Sequence, residues 1–164
     1  MAHCVCVPAA RRARLERVRA LLFTIMDFFM SIETYTPPEL FEPIGPYSHI
    51  AKSGPFIYLS ATPGVDSNSG QMAGADAYSQ SRQILENLRA MLVSVGAAME
   101  DVMHVQVFLK HVEDFEAMNR AYAEAFAGHL PARSVICVAD LPKQGALLTM
   151  NLNAIHHPAS PRTE

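Results

Sequence analysis

No apolar run in this 164-residue chain approaches the roughly 20 residues that a bilayer-crossing helix needs, so no membrane partner is expected. Cysteine is scarce as well: Cys4 and Cys6 stand near the start, and Cys137 is the only one in the body. Three thiols cannot build a disulfide framework, and the natural compartment for such a chain is the reducing cytoplasm. Cys4 and Cys6 have no His or Cys at metal-ligand spacing, nor do His104 and His111 with respect to each other, while His156-His157 lies at the frayed end. Basic clusters are missing from the body too. Of the 13 Lys and Arg residues, Arg11, Arg12, Arg14, Arg17 and Arg19 all precede Met30, where the only acids are Glu16 and Asp27. From Met30 onward eight basic residues face fourteen acidic ones, a formal charge of −6 within an overall −3. Phosphate backbones are held mainly by Lys and Arg, so an acidic body argues against nucleic acid as a partner.

What remains is globular in character, with 50% hydrophobic and 18% charged residues, and its length suits one domain. Residues 1–29 stand apart as an N-terminal extension. Their apolar stretch, Leu21 to Phe29, is interrupted by Asp27 and lacks the small-residue cleavage pattern of a secretory signal. An organelle transit peptide fits the arginines but not the absence of serine, and an upstream start codon before Met30 is the third reading. The domain is therefore expected to span residues 30–156, with a flexible tail over 157–164.

Within that span the punctuation is clear. Thr36-Pro37-Pro38 and Ile44-Gly45-Pro46-Tyr47 are turn signals, and Ser53-Gly54-Pro55 separates two short extended segments, Ser48–Lys52 and Phe56–Leu59. Asp76 can cap a helix through about Val95, with Ile84, Leu85, Leu88, Met91, Leu92 and Val95 on one stripe. Residues 102–110 alternate as a half-buried strand, with Met103, Val105, Val107 and Leu109 on the inner side. A second helix, capped near Asp114, presents Phe115, Met118, Tyr122, Ala125 and Phe126 inward and stops at Gly128. Arg133–Ala139 and Leu147–Ile155 are further strands. In the last one Leu148, Met150, Leu152 and Ala154 form an apolar face, which sends Thr149, Asn151 and Asn153 to the other. The order ββαβαββ predicts an α+β domain with two helices on one face of a mixed sheet. On the opposite face Arg133, Val135 and Cys137 are expected beside the Thr/Asn row, a mixture that suits a subunit interface around a small pocket.

Six segments then fall into a recognisable order and spacing: Gly45-Pro46-Tyr47-Ser48, Ile57-Tyr58-Leu59-Ser60, Gln83-Ile84-Leu85-Glu86-Asn87-Leu88, Val107-Phe108-Leu109-Lys110, Pro131-Ala132-Arg133-Ser134 and Leu141-Pro142-Lys143. Together, over Pro43 to Ile155, they resemble the RidA (YjgF-like) family. The resemblance implies a chorismate-mutase-like fold, a homotrimer with ligand sites in the clefts between subunits, and no metal or organic cofactor. It also implies hydrolysis of reactive 2-imino or enamine acids to 2-keto acids and ammonia.

Arg133 matches the family arginine that grips the substrate carboxylate. A planar guanidinium suits that task because it offers two parallel N–H donors and stays charged at any working pH. Tyr47 matches the aromatic residue flanking the site, Ser60 a small polar residue near the pocket, and Asn119 is a further binding candidate; Tyr122 reads as core, and Cys137 as a buried apolar thiol. The last strand departs from the pattern. Deaminating relatives carry a water-orienting glutamate there, whereas here Thr149 or Asn151 takes its place, and the only nearby acid is Asp140. Thr and Asn can orient water but cannot take its proton, which typically forfeits about 10²–10⁴ in rate. An imine deaminase of altered substrate range and a non-catalytic keto-acid binder therefore both remain open. Ribonuclease action, an older label in this family, fits poorly with the acidic body.

Overall fold

The computed structural model describes residues 14–21 and 31–156. Residues 14–21 are helical and belong to an N-terminal unit distinct from the body, which begins at Glu33. The remainder of the expected extension and the expected tail lie outside the described residues. No helix among the described residues is long and apolar enough to cross a membrane.

Six strands form one sheet: β1 (Glu33–Tyr35), β2 (Ile50–Ser53), β3 (Phe56–Pro63), β4 (Val102–Leu109), β5 (Ala132–Cys137) and β6 (Leu148–Ile155), in spatial order β1-β2-β3-β6-β4-β5. All neighbours are antiparallel except β4 and β5, so the sheet is mixed as expected. The first strand was not legible beforehand, because Glu-Thr-Tyr is too short and polar to show an alternation.

Helix α1 (Ala77–Ser94) starts where Asp76 accepts a hydrogen bond from the Ser79 N–H at 2.9 Å, and Gly96 follows its end with φ 81°. Its stripe of Ile84, Leu85, Leu88, Met91 and Leu92 is buried against the inner sheet face of Ile57, Leu59, Val105, Val107, Leu148, Met150 and Leu152. Each such side chain contributes about 1.5–3 kcal/mol on leaving water. Helix α2 (Phe115–Phe126) buries Met118, Ala121, Tyr122 and Phe126 in the same core, and it ends at Ala127, one residue before the expected glycine, with φ 46°.

Two bulges alter the expected pattern. On β4 the register slips between Val102 and His104, so Val102 turns inward and Met103, expected inside, is 56% exposed. On β3 the slip between Leu59 and Thr62 leaves Ser60 and Ala61 opposite Asn151. A second line of polar residues on α1 is also buried. Gln80 Nε2 donates to the carbonyls of Gly74 (3.2 Å) and Gly145 (3.0 Å), its Oε1 accepts from the Leu147 N–H (2.9 Å), and Asn87 Nδ2 donates to the Val65 carbonyl (2.9 Å). The loop from Gly64 to Gly74 is thus held down by a helix. Gly64 must be a glycine for the same reason, since a Cβ there would meet the Gln80 carbonyl oxygen at 2.7 Å.

Candidate functional site

Arg133 sits on β5, an edge of the sheet, directly beside Val105; Val135 and Cys137 stand beside Val107 and Leu109. Laterally paired residues point to the same face, so Arg133 points toward the helices. Its Nη1 donates to Asn119 Oδ1 at 2.8 Å, and its guanidinium carbon lies 4.6 Å from the Tyr122 ring centroid and 6.0 Å from that of Phe115. Phe115, expected in the core, is an exposed neighbour of this guanidinium. Tyr122 is 7% exposed, and its hydroxyl has no hydrogen-bond partner among the described residues. Burial pushes its pKa up to about 12, with the Arg133 charge acting in the opposite sense. Within one chain Arg133 itself is exposed rather than enclosed.

Thr149 and Asn151 point the other way. They pair with Phe108 and Gln106 on the face away from the helices, where Asn151 Nδ2 donates to Gln106 Oε1 at 3.1 Å. The Asn151 Oδ1 is buried with no partner among the described residues, and Thr149 is 8% exposed. The expectation that Arg133 shares a face with the Thr/Asn row is corrected here. Counting alternation along each strand could not relate the two strands, because β4 lies between β5 and β6 and sets both registers. Cys137 is corrected with it: the thiol is exposed, not buried.

Tyr47 and Ser60 meet through the backbone around His49. The Ser60 N–H donates to the His49 carbonyl at 2.9 Å, the Ser60 hydroxyl donates to the Ser48 carbonyl at 2.7 Å, and the Tyr47 ring lies 6.0 Å from that of His49. The bulge on β3 puts Ser60 opposite Asn151. Asp140 does not reach it: Lys110 Nζ holds the carboxylate at 2.7 Å, and the Leu141 N–H donates to the same oxygen at 2.8 Å. These contacts, the Lys110 one foremost, hold its pKa below the ordinary carboxylate value.

His49 was overlooked in the sequence, although its position between Tyr47 and an apolar strand hinted at burial. It is 1% exposed, packed edge-on to Phe41 at 5.1 Å, and neither ring nitrogen has a partner among the described residues. Burial lowers its pKa below the ordinary 6.5, and the charge of Glu42 offsets this only in part. The folded chain therefore binds fewer protons at His49 than the unfolded chain does. Its contribution to stability is complete above about pH 6.5 and is lost as pH falls from there through the folded value. His49→Phe should flatten that acid-side decline. Urea midpoints compared at pH 7.5 and pH 5 test this, and identical declines in both proteins would refute it.

Among the described residues no three His, Cys, Asp or Glu side chains are grouped to hold a metal ion. Comparison with known proteins gives a consistent picture. A family model described as Endoribonuclease L-PSP matches residues 38–156. A RutC family protein of Pyrococcus horikoshii is 41% identical over 102 residues, covering 62% of this chain and 81% of that one. The 2-iminobutanoate/2-iminopropanoate deaminase of Homo sapiens is 33% identical over 115 residues, covering 70% and 83%. Among solved structures, the YjgF gene product of E. coli superposes with a TM-score of 0.71 at 30% identity, over 76% of this chain and 99% of that one. E. coli TdcF with bound serine gives a TM-score of 0.72 at 28% identity, over the same shares. The fold, the six motifs and these matches agree: the chain belongs to the RidA (YjgF-like) family, the family of the Endoribonuclease L-PSP model.

Proposed function

We propose that this protein hydrolyses reactive 2-imino or enamine acids to 2-keto acids and ammonia, at a site assembled between copies of the chain. The observation that carries the reading is the Arg133 guanidinium, oriented by Asn119 and Tyr122 at an open edge of the sheet. A carboxylate is the group its fork suits. The named relatives support the chemistry, and the serine bound by TdcF is itself a small carboxylate. Arg133 and the Asn151 row face opposite sides of one sheet, so bringing them to one substrate takes two copies. A homotrimer, the assembly implied by the resemblance, meets that need.

In this reading Arg133 holds the carboxylate, Tyr47 and Ser60 border the pocket, and Thr149 or Asn151 orients water toward the imine carbon. Water adds to the C=N carbon and one of its protons passes to nitrogen; the carbinolamine then collapses as its hydroxyl proton also passes to nitrogen, the C–N bond breaks, ammonia leaves and the keto acid remains. The unpartnered Asn151 Oδ1 suits such a water, because a buried acceptor without a protein partner favours one. Generating 2-iminopropanoate with an amino acid oxidase and timing ammonia release tests the reading; a rate equal to that in buffer defeats it. One observation favours a second reading. The Thr149, Asn151, Asn153 row carries no carboxylate to accept the proton. A keto-acid binding protein would then bind 2-ketobutyrate while deamination stays at the buffer rate.

A further inference from the structure

We infer that Tyr122 and Asn119 are positioning residues that together fix the direction of the Arg133 guanidinium, so that they set affinity for a carboxylate without touching it. The inference rests on the reading of Arg133 as the carboxylate anchor, and it moves Asn119 from the ligand's surroundings to those of the arginine.

An arginine on an exposed edge strand has a long, mobile stem, and its donors aim at a ligand only if something restrains them. Two restraints act here. The Tyr122 ring lies beneath the guanidinium at 4.6 Å, within the distance at which a cation is held over an aromatic face. That holds the guanidinium against the core. Asn119 Oδ1 accepts a hydrogen bond from Nη1 at 2.8 Å, which fixes the rotation of the group and leaves the Nε–Nη2 edge to meet a carboxylate. Asn119 and Tyr122 are three residues apart on α2 and so share a helix face. The platform is itself anchored: the Tyr122 ring packs against Phe126 with centroids 4.4 Å apart and planes tilted by 36°, and both rings belong to the buried core. The Tyr122 hydroxyl takes no part, since it has no partner among the described residues. The ring is therefore what matters, and a phenylalanine should serve as well.

Calorimetric titration of the full chain with 2-ketobutyrate tests this, with thermal melting as the check on folding. Tyr122→Leu and Asn119→Ala are each expected to weaken binding about tenfold. Tyr122→Phe should restore it to within about twofold of the unmodified chain. In an Arg133→Ala background Tyr122→Leu should add nothing further, whereas a merely structural role would give the same loss in both backgrounds. Binding unchanged in Tyr122→Leu, or a loss in Tyr122→Phe equal to that in Tyr122→Leu, overturns the inference while the carboxylate reading stands. If Tyr122→Leu does not fold, Tyr122→Phe and Asn119→Ala still decide: an unchanged Asn119→Ala, or a tenfold loss in Tyr122→Phe, overturns it. Arg133→Ala binding as tightly as the unmodified chain overturns the carboxylate reading itself, and the inference with it.

Discussion

Arg133→Ala should lower kcat/KM for an imino acid, or weaken 2-ketobutyrate binding, by about 10- to 150-fold while leaving the melting temperature nearly unchanged. A hydrogen-bonded charge pair contributes about 1.5–3 kcal/mol, and each 1.4 kcal/mol is a factor of ten. Stability is spared because the side chain is exposed and its contacts lie at the sheet edge. Arg133→Lys should recover only a small part of the loss, since an ammonium keeps the charge but not the planar fork or the stacking on Tyr122. Titration of both variants with 2-ketobutyrate, beside ammonia release from 2-iminopropanoate, measures these effects. An alanine variant within threefold of the parent on both assays would remove the arginine from the site.

Gln80→Leu should be among the most damaging single changes to stability, costing about 3–5 kcal/mol, although it is a swap of similar size to an apolar residue at a buried position. The glutamine is 1% exposed and satisfies three backbone groups at once: the carbonyls of Gly74 and Gly145 and the N–H of Leu147. Leucine supplies none of these bonds, and each buried group left bare costs about 1–3 kcal/mol, reduced where the loop relaxes toward water. Crowding opposes relaxation on one side, where Gly64 lies against the helix backbone. Urea denaturation gives the number directly. A loss below about 1 kcal/mol would mean that the two loops do not depend on this side chain.

Both residues show where sequence reasoning succeeds and where it stops. Arg133 was legible because its motif, Pro131-Ala132-Arg133-Ser134, and its chemistry are local. So was the apolar stripe of α1, because a helix repeats regularly enough for 84, 85, 88, 91 and 92 to declare one face. Gln80 and Asn87 fall seven apart on the same helix and flank that stripe, a signal that was present but masked by the habit of assigning amides to solvent. The facing of Arg133 relative to Thr149 and Asn151 was beyond reach. It depends on how β4 pairs with two strands at once, and a ladder register is a non-local quantity that no single strand encodes. The bulges have the same character: Met103 leaves the core only because one residue is inserted against β6.

The position of β6 also bears on synthesis. Strands β3 and β4 share no ladder; each is joined to the sheet's centre only through residues 148–155. A nascent chain can form the β2–β3 hairpin and the β4-α2-β5 crossover as separate pieces with α1 between them, but the centre of the sheet beneath α1 stays open until β6 pairs with both. A stop codon shortly before Leu148 would therefore leave two groups of strands with no ladder between them, fit for chaperones or proteases rather than for a shorter working protein.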